Sequence, residues 1–215
     1  MELLRAIGVE PRVVSPDIDE SVMPAETPVD YVRRLASAKL DAVMREVGAV
    51  SVGAVVIAAD TTVEIDGEIL GKPVDDADAM AMLMRLRGRE HRVHTGFAVA
   101  VAGPGCRGVD WEGHVEVVSS TVEFRAVPIP DLIAYVDSGE PRDKAGAYAI
   151  QGGAAGFVAR VDGDIDAVIG LPVARVAAVF VDVFDTHRPL EARPRSPGAA
   201  VERRDRASAS RAPEG

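Results

Sequence analysis

Six consecutive small or β-branched apolar residues, Ala54 to Ala59, run directly into Asp60-Thr61-Thr62, and this junction leaves few folds open to the chain. A run of that length reads as a buried strand, with Asp60 standing where the strand emerges. Ligands of open α/β sheets collect at the carboxyl ends of strands. Asp66-Gly67, between the strand-like runs Thr62 to Ile65 and Glu68 to Leu70, predicts a two-residue hairpin of the primed type. That hairpin returns Lys72 of Gly71-Lys72-Pro73 towards Asp60. A carboxylate can hold a divalent cation or take a proton from water, and a lysine ammonium binds phosphate as a point charge. Taken alone, Asp60 and Thr61 would serve equally well to cap a turn, and Lys72 to meet solvent.

A second segment shifts that balance. Glu140-Pro-Arg-Asp-Lys-Ala-Gly-Ala-Tyr-Ala-Ile-Gln-Gly152 places Asp143 and Lys144, adjacent opposite charges, just before Ala145-Gly146, whose small side chains allow a ligand close to the backbone. Its plain alternative is a charged loop leading into a strand at Tyr148 to Ile150.

Around these segments the periodicity predicts a mixed α/β domain. We expect a helix at Glu2 to Ala6, a strand near Arg12 to Val14 and a long amphipathic helix from Val29 to Val47, with Pro28 in its first turn and Gly48 at its end. A helix from Asp75 to Leu86 closes at Gly88 and makes Met80, Met82 and Met84 core filler. Strands follow at His91 to Val101 and Val115 to Arg125, joined by a glycine-rich hairpin loop from Ala102 to Gly113. Helices at Pro130 to Asp137 and Pro172 to Phe184 complete the order. His91 and His94, three apart in a strand, point to opposite faces and cannot share a zinc ion. No Ser-His-Asp pattern, Walker loop or dinucleotide fingerprint is present, and Gly103-x-Gly105-x-x-Gly108 joins two strands rather than opening a helix.

Of the 215 residues, 47% are hydrophobic and 27% charged, enough apolar content for one ordinary domain. No apolar run is long enough to span a bilayer, and the opening Met-Glu-Leu-Leu-Arg is unlike a signal peptide, so a cytoplasmic protein is expected. The single cysteine, Cys106, excludes an internal disulfide framework. A formal charge of −10 argues against nucleic-acid polymers as partners but not against small phosphates carried in with a metal ion. From His187 onward Pro, Arg, Ser and Ala dominate, with seven Arg against four acidic residues. We therefore expect a domain over residues 1–186 and a disordered tail over 187–215.

Taken in order, these motifs resemble the Maf family of nucleotide pyrophosphatases, whose fold is related to that of inosine triphosphatases. The resemblance runs from Met1 to about Val183. It is carried by Asp19-Glu20, Tyr31-Val32, Leu35-Ala36, Lys39, Ala59-Asp60-Thr61, Gly71-Lys72-Pro73, Gly88, His91, Val93 and Thr95-Gly96. It continues through Phe124-Arg125, Ser138-Gly139-Glu140-Pro141, Asp143 to Tyr148, Ile150-Gln151-Gly152 and Gly170-Leu171-Pro172. It implies a mixed, twisted sheet flanked by helices with a cleft between two lobes.

Family members open with a strand and a Ser-x-Ser-Pro-Arg-Arg loop that grips the nucleotide, and nothing like it precedes Leu3-Leu4. The expectation is therefore an upstream start or an impaired protein, since neither Arg5 nor Arg12 has the loop's spacing. Ala167 stands where the family often has asparagine.

The implied reaction is cleavage of a nucleoside triphosphate between its α and β phosphorus atoms. Glu20, Asp60 and Glu140 would hold Mg or Mn, and Asp60 would be the general base. Lys39, Lys72 and Lys144, with Asp143, would receive the triphosphate. Thr61 and Gln151 are the family's marks of thymine and uracil selectivity. The resemblance also suggests a homodimer. Two other readings stay open, a non-catalytic nucleotide-binding regulator of cell division and a house-cleaning enzyme for modified nucleotides.

Overall fold

The computed structural model describes residues 2–47, 53–102 and 113–187. Helix α1 (Glu2–Ala6) is followed by α2 (Pro28–Val47), the strand β1 (Val55–Ile65) and the short β2 (Glu68–Leu70). Helix α3 (Asp76–Leu86), the long strands β3 (Glu90–Val101) and β4 (Gly113–Phe124) and helix α4 (Ile129–Asp137) come next. Three 3-10 turns, β5 (Val158–Asp162), α5 (Ile165–Ile169) and α6 (Val173–His187) close the order. The expected sheet flanked by helices is present, five strands in the order β2-β1-β3-β4-β5. Every pairing among the described residues is antiparallel.

Local chemistry explains the elements that position the cleft. The Thr27 hydroxyl accepts from the Asp30 backbone N–H at 3.1 Å and donates to the Asp30 carboxylate at 2.7 Å, a reciprocal cap that starts α2 at Pro28. Along α2, Val32, Leu35, Ala36, Leu40 and Met44 are buried at helical spacing. Lys39 falls on this stripe, three residues after Ala36, so the helix aims its ammonium at the sheet. Asp66 and Gly67 both take positive φ, 57° and 80°, as the primed hairpin between β1 and β2 requires. The Asp75 carboxylate caps α3 by accepting from the Asp78 N–H at 2.8 Å.

Helix α2 crosses one face of the sheet directly over Gly96. A Cβ there would lie 2.3 Å from the Val32 carbonyl oxygen, so only glycine lets the helix backbone come so close. The opposite face carries two clusters. Phe97, Val99 and Val101 pack on Val176 and Val179 of α6. Val63, Ile65, Val93, Val122 and Phe124 pack on α3, α4 and the 3-10 segment.

Two expectations of element placement are corrected. Residues 9–23 hold no strand: Arg12 to Val14 is irregular, with Val9 and Val13 exposed, and the segment's far end is fastened to α2 instead. The Arg34 guanidinium donates to the Ser21 carbonyl at 2.9 Å and the Tyr31 hydroxyl to the Glu20 carbonyl at 3.0 Å. Tyr148 to Ile150 is likewise not a strand but the turn leading to a 3-10 helix over Gly153–Phe157. Gly48, Cys106, most of the expected loop between β3 and β4, and the tail beyond His187 lie outside the described residues.

Candidate active site

The strand expected to end at Asp60 continues for five more residues, and Asp60 sits midway along β1, opposite Gly96. Because β2 covers only Val63 to Ile65, the preceding part of β1 is a sheet edge among the described residues. A cavity of about 730 Å³ opens there. Its floor is Ala59 to Val63. One wall carries Glu20, Ser21 and Tyr31, the other Gly71-Lys72, Asp143-Lys144-Ala145 and Tyr148 to Gln151. Val168 and Ile169 of α5 also line it, with Val22, Ile69 and Val93. The Gly146 N–H donates to the Gly71 carbonyl at 3.0 Å and so joins the two motifs that the sequence kept 75 residues apart.

Of the expected site residues, Glu20, Asp60, Thr61, Lys72, Asp143, Lys144 and Gln151 line this cavity. Lys39 reaches it from below through its carboxylate partners: its ammonium donates to Asp60 Oδ1 and lies 2.8 Å from Glu20 Oε1. Lys72, largely exposed, lies 3.9 Å from the other Glu20 oxygen, and Lys144 donates to Asp143 at 3.0 Å.

Glu140 is placed differently. Its two oxygens accept from the Gly153 N–H at 3.1 and 3.0 Å, and one also accepts from the Tyr135 hydroxyl at 3.2 Å. The Tyr135 oxygen in turn accepts from the Ala149 N–H at 3.0 Å. The turn that carries Gln151 is thus held at both ends, by Tyr135 of α4 and by Glu140 in the 3-10 turn that follows that helix. A Cβ on Gly152 would fall 1.9 Å from a Glu140 oxygen, which explains the glycine.

Burial sets the electrostatics. It pushes Asp60 above the ordinary aspartate value, while the hydrogen bond and charge of Lys39 pull the other way. Burial alone would lower Lys39, but hydrogen bonds to Asp60 and Glu20 outweigh it and hold the ammonium above its usual value. The same Lys39 hydrogen bond keeps Glu20 below the usual glutamate range. Asp60 is therefore a carboxylate made more basic by its surroundings, beside a lysine that stays charged.

Several residues of the site were not singled out from the sequence. Tyr31 and Tyr148 line the cavity, and Tyr148 donates to or accepts from buried His91 at 2.9 Å. Ala147 holds a φ of 59°, uncommon for alanine, next to Gly146 at 65°. Thr95, beneath Thr61, is fully buried. The only sequence signal for these was membership of the matching motifs.

Lysines and carboxylates converging on a sheet-floored cleft of this size define an α/β protein built to take a small phosphorylated molecule. The chain belongs to the Maf family: residues 1–183 match the family described as Maf-like protein. It is 46% identical over 179 residues to the dTTP/UTP pyrophosphatase of Hahella chejuensis, covering 83% of this chain and 85% of that protein. The dTTP/UTP pyrophosphatase of Geotalea uraniireducens is 44% identical over 177 residues, covering 82% and 86%. That of Symbiobacterium thermophilum is 44% identical over 185 residues, covering 83% and 86%. Among the described residues no helix is long and apolar enough to cross a membrane.

Proposed function

We propose that this chain is a nucleoside triphosphate pyrophosphatase acting on dTTP and UTP, releasing the nucleoside monophosphate and pyrophosphate. The observation that carries the reading is Asp60: a buried carboxylate of raised basicity, set in a cleft with Lys39, Lys72 and Lys144 and opposite the Gln151 turn. Asp60 takes a proton from water as the water oxygen attacks the α-phosphorus. The bond from that phosphorus to the α,β-bridging oxygen breaks, and its electrons leave with pyrophosphate. Lys72 and Lys144, on the open side of the cleft, neutralise the charge that gathers on the departing group. Lys39 keeps Asp60 ionised and aimed.

Glu20 and Asp60 fit a divalent cation, because both already point an oxygen at one positive charge, the Lys39 ammonium. No group of three or more His, Cys, Asp or Glu is spaced for a metal among the described residues, so phosphate oxygens and water would supply the remaining ligands. Bound there, Mg or Mn would polarise the phosphate and lower the cost of attack. Glu140 we assign to positioning the Gln151 turn rather than to the metal, since its oxygens are engaged by Gly153 and Tyr135. Gln151, which lines the cleft, would meet the pyrimidine edge through its side-chain amide.

The test is pyrophosphate and orthophosphate release from a panel of canonical and modified nucleoside triphosphates with Mg or Mn. Pyrophosphate, fastest from dTTP and UTP, is expected. Orthophosphate would contradict the assigned bond, and no turnover by folded protein would favour a nucleotide-binding regulator.

A further inference from the structure

Gln151 alone cannot separate uracil from cytosine, because a side-chain amide offers both a donor and an acceptor and can turn either way round. Thr61 differs, because its hydroxyl proton is already committed. On β3, directly opposite Thr61, Thr95 is fully buried and its hydroxyl lies 2.6 Å from the Ala167 carbonyl oxygen of α5. A carbonyl can only accept, so Thr95 donates there. A hydroxyl has one proton. In the 2.7 Å contact between Thr61 Oγ1 and Thr95 Oγ1, Thr61 must therefore be the donor. What the Thr61 oxygen can still present to the cleft is lone pairs.

The anchor of this relay is itself held rigidly. The Ser120 hydroxyl, on the neighbouring strand, donates to the Asp164 carbonyl at 3.0 Å and accepts from the Asp164 N–H at 2.9 Å. The Asp164 carboxylate caps α5 through the Asp166 and Ala167 N–H groups at 2.8 and 3.2 Å. Two buried hydroxyls thus pin α5 to the sheet and aim the Ala167 carbonyl at Thr95. The side chain at position 167 plays no part, so alanine serves there.

We propose that the Ala167–Thr95–Thr61 relay makes Thr61 an obligate hydrogen-bond acceptor and Thr95 a positioning residue for base selection. The cleft then favours a nucleobase whose pairing edge carries an N–H at position 3, as uracil and thymine do. Cytosine, with a bare lone pair at that position, meets lone pair with lone pair. The inference rests on the reading of the cleft as a pyrimidine nucleotide site.

The experiment compares kcat/KM for UTP and CTP in the full chain and in Thr95→Val and Thr95→Ser. Valine keeps the shape of threonine but frees the Thr61 proton, so Thr61 can turn and donate to cytosine. The UTP/CTP ratio should fall about tenfold, mainly through a lower KM for CTP, the scale of one reoriented neutral hydrogen bond. Thr95→Ser, which retains the hydroxyl, should keep the wild-type ratio. A structural role alone would lower both substrates in parallel and leave the ratio unchanged, which would overturn the relay. Should Thr95→Val fail to fold, Thr61→Val removes the acceptor without touching α5. It should erase a similar share of the preference, and an unchanged ratio there is again contradictory. A wild-type chain that uses CTP as well as UTP would also overturn the relay, whereas one that uses purine nucleoside triphosphates as well as UTP would overturn the pyrimidine reading itself.

Discussion

Asp60, the proposed general base, shows how its surroundings tune a single side chain. An exposed aspartate would be a weak base at neutral pH, and an unpaired buried one would stay protonated. Partial burial raises its basicity while Lys39 keeps the ionised form accessible. Because only the deprotonated form can accept water's proton, activity should fall as pH drops through the raised Asp60 value. That acid limb should sit above the ordinary aspartate value near 3.8. Asp60→Asn should lower kcat by about 10²- to 10⁴-fold and remove the limb. A rate profile that keeps the limb in the variant would move the base elsewhere. The residue types here were legible: a carboxylate after an apolar run, and lysines in two motifs. Lys39 was named only through the family resemblance, although it stands three residues after Ala36 on the apolar stripe of its helix. The relay through Thr95 was not, because a buried threonine in a strand has the same sequence signature whether or not it orients a neighbour.

His91 makes a second prediction at this scale. It is 4% exposed, packed edge-on against Phe124 and Tyr148, and burial lowers its pKa from 6.5 to about 4. Between those values the unfolded chain binds a proton that the folded chain refuses. Stability is therefore fully present above pH 6.5 and is lost as pH falls towards 4, by about 3 kcal/mol in all. Urea unfolding across that window checks it, and His91→Gln should flatten the dependence. A variant with the same acid slope as wild type would assign the loss to other groups.

At the scale of elements, the cleft depends on how closely α2 lies on the sheet. Gly96 permits that approach, and Lys39 is carried on the same helix. Gly96→Ala sets a Cβ 2.3 Å from the Val32 carbonyl oxygen, a backbone atom that cannot swing aside. We expect about 1–3 kcal/mol of destabilisation and a fall in kcat/KM as α2 lifts and draws Lys39 from Asp60. Gly156→Ala, where a Cβ meets nothing within 4 Å, is the matched control and should leave activity unchanged. Equal effects of the two would remove the close approach from the account.

Long periodic elements were readable at this scale, and short or interrupted ones were not. Helix α2 begins one residue before its expected start because the Thr27 cap admits Pro28. β1 was read as two strands because Asp60-Thr61-Thr62 looked like an exit. The β-branched Thr61, Thr62 and Val63 in fact continue the ladder with β3. β5 and α5 are five residues each, too short for either period to show. Arg12 to Val14 has strand-forming residues, but no ladder partner meets it, and propensity without a partner does not make a strand.

For the whole molecule, the fold joins two distant motifs into one wall of the cleft through one backbone hydrogen bond, Gly146 to Gly71. Helix α2 delivers a cation beneath the floor, the segment after α4 delivers the second wall, and α5 orients the floor hydroxyl. Each face of the sheet carries its own apolar cluster, α2 with Val56, Ala58 and Ala98 on one, and α3 and α4 with Val122 and Phe124 on the other. The proposed reaction joins these parts: water, activated by Asp60, attacks the α-phosphorus. It is tested most directly by running UTP hydrolysis in water enriched in heavy oxygen and weighing the products. One heavy oxygen is expected in UMP and none in pyrophosphate, with the signal gone in Asp60→Asn. Heavy oxygen in pyrophosphate, or undiminished labelling of UMP by Asp60→Asn, would contradict it.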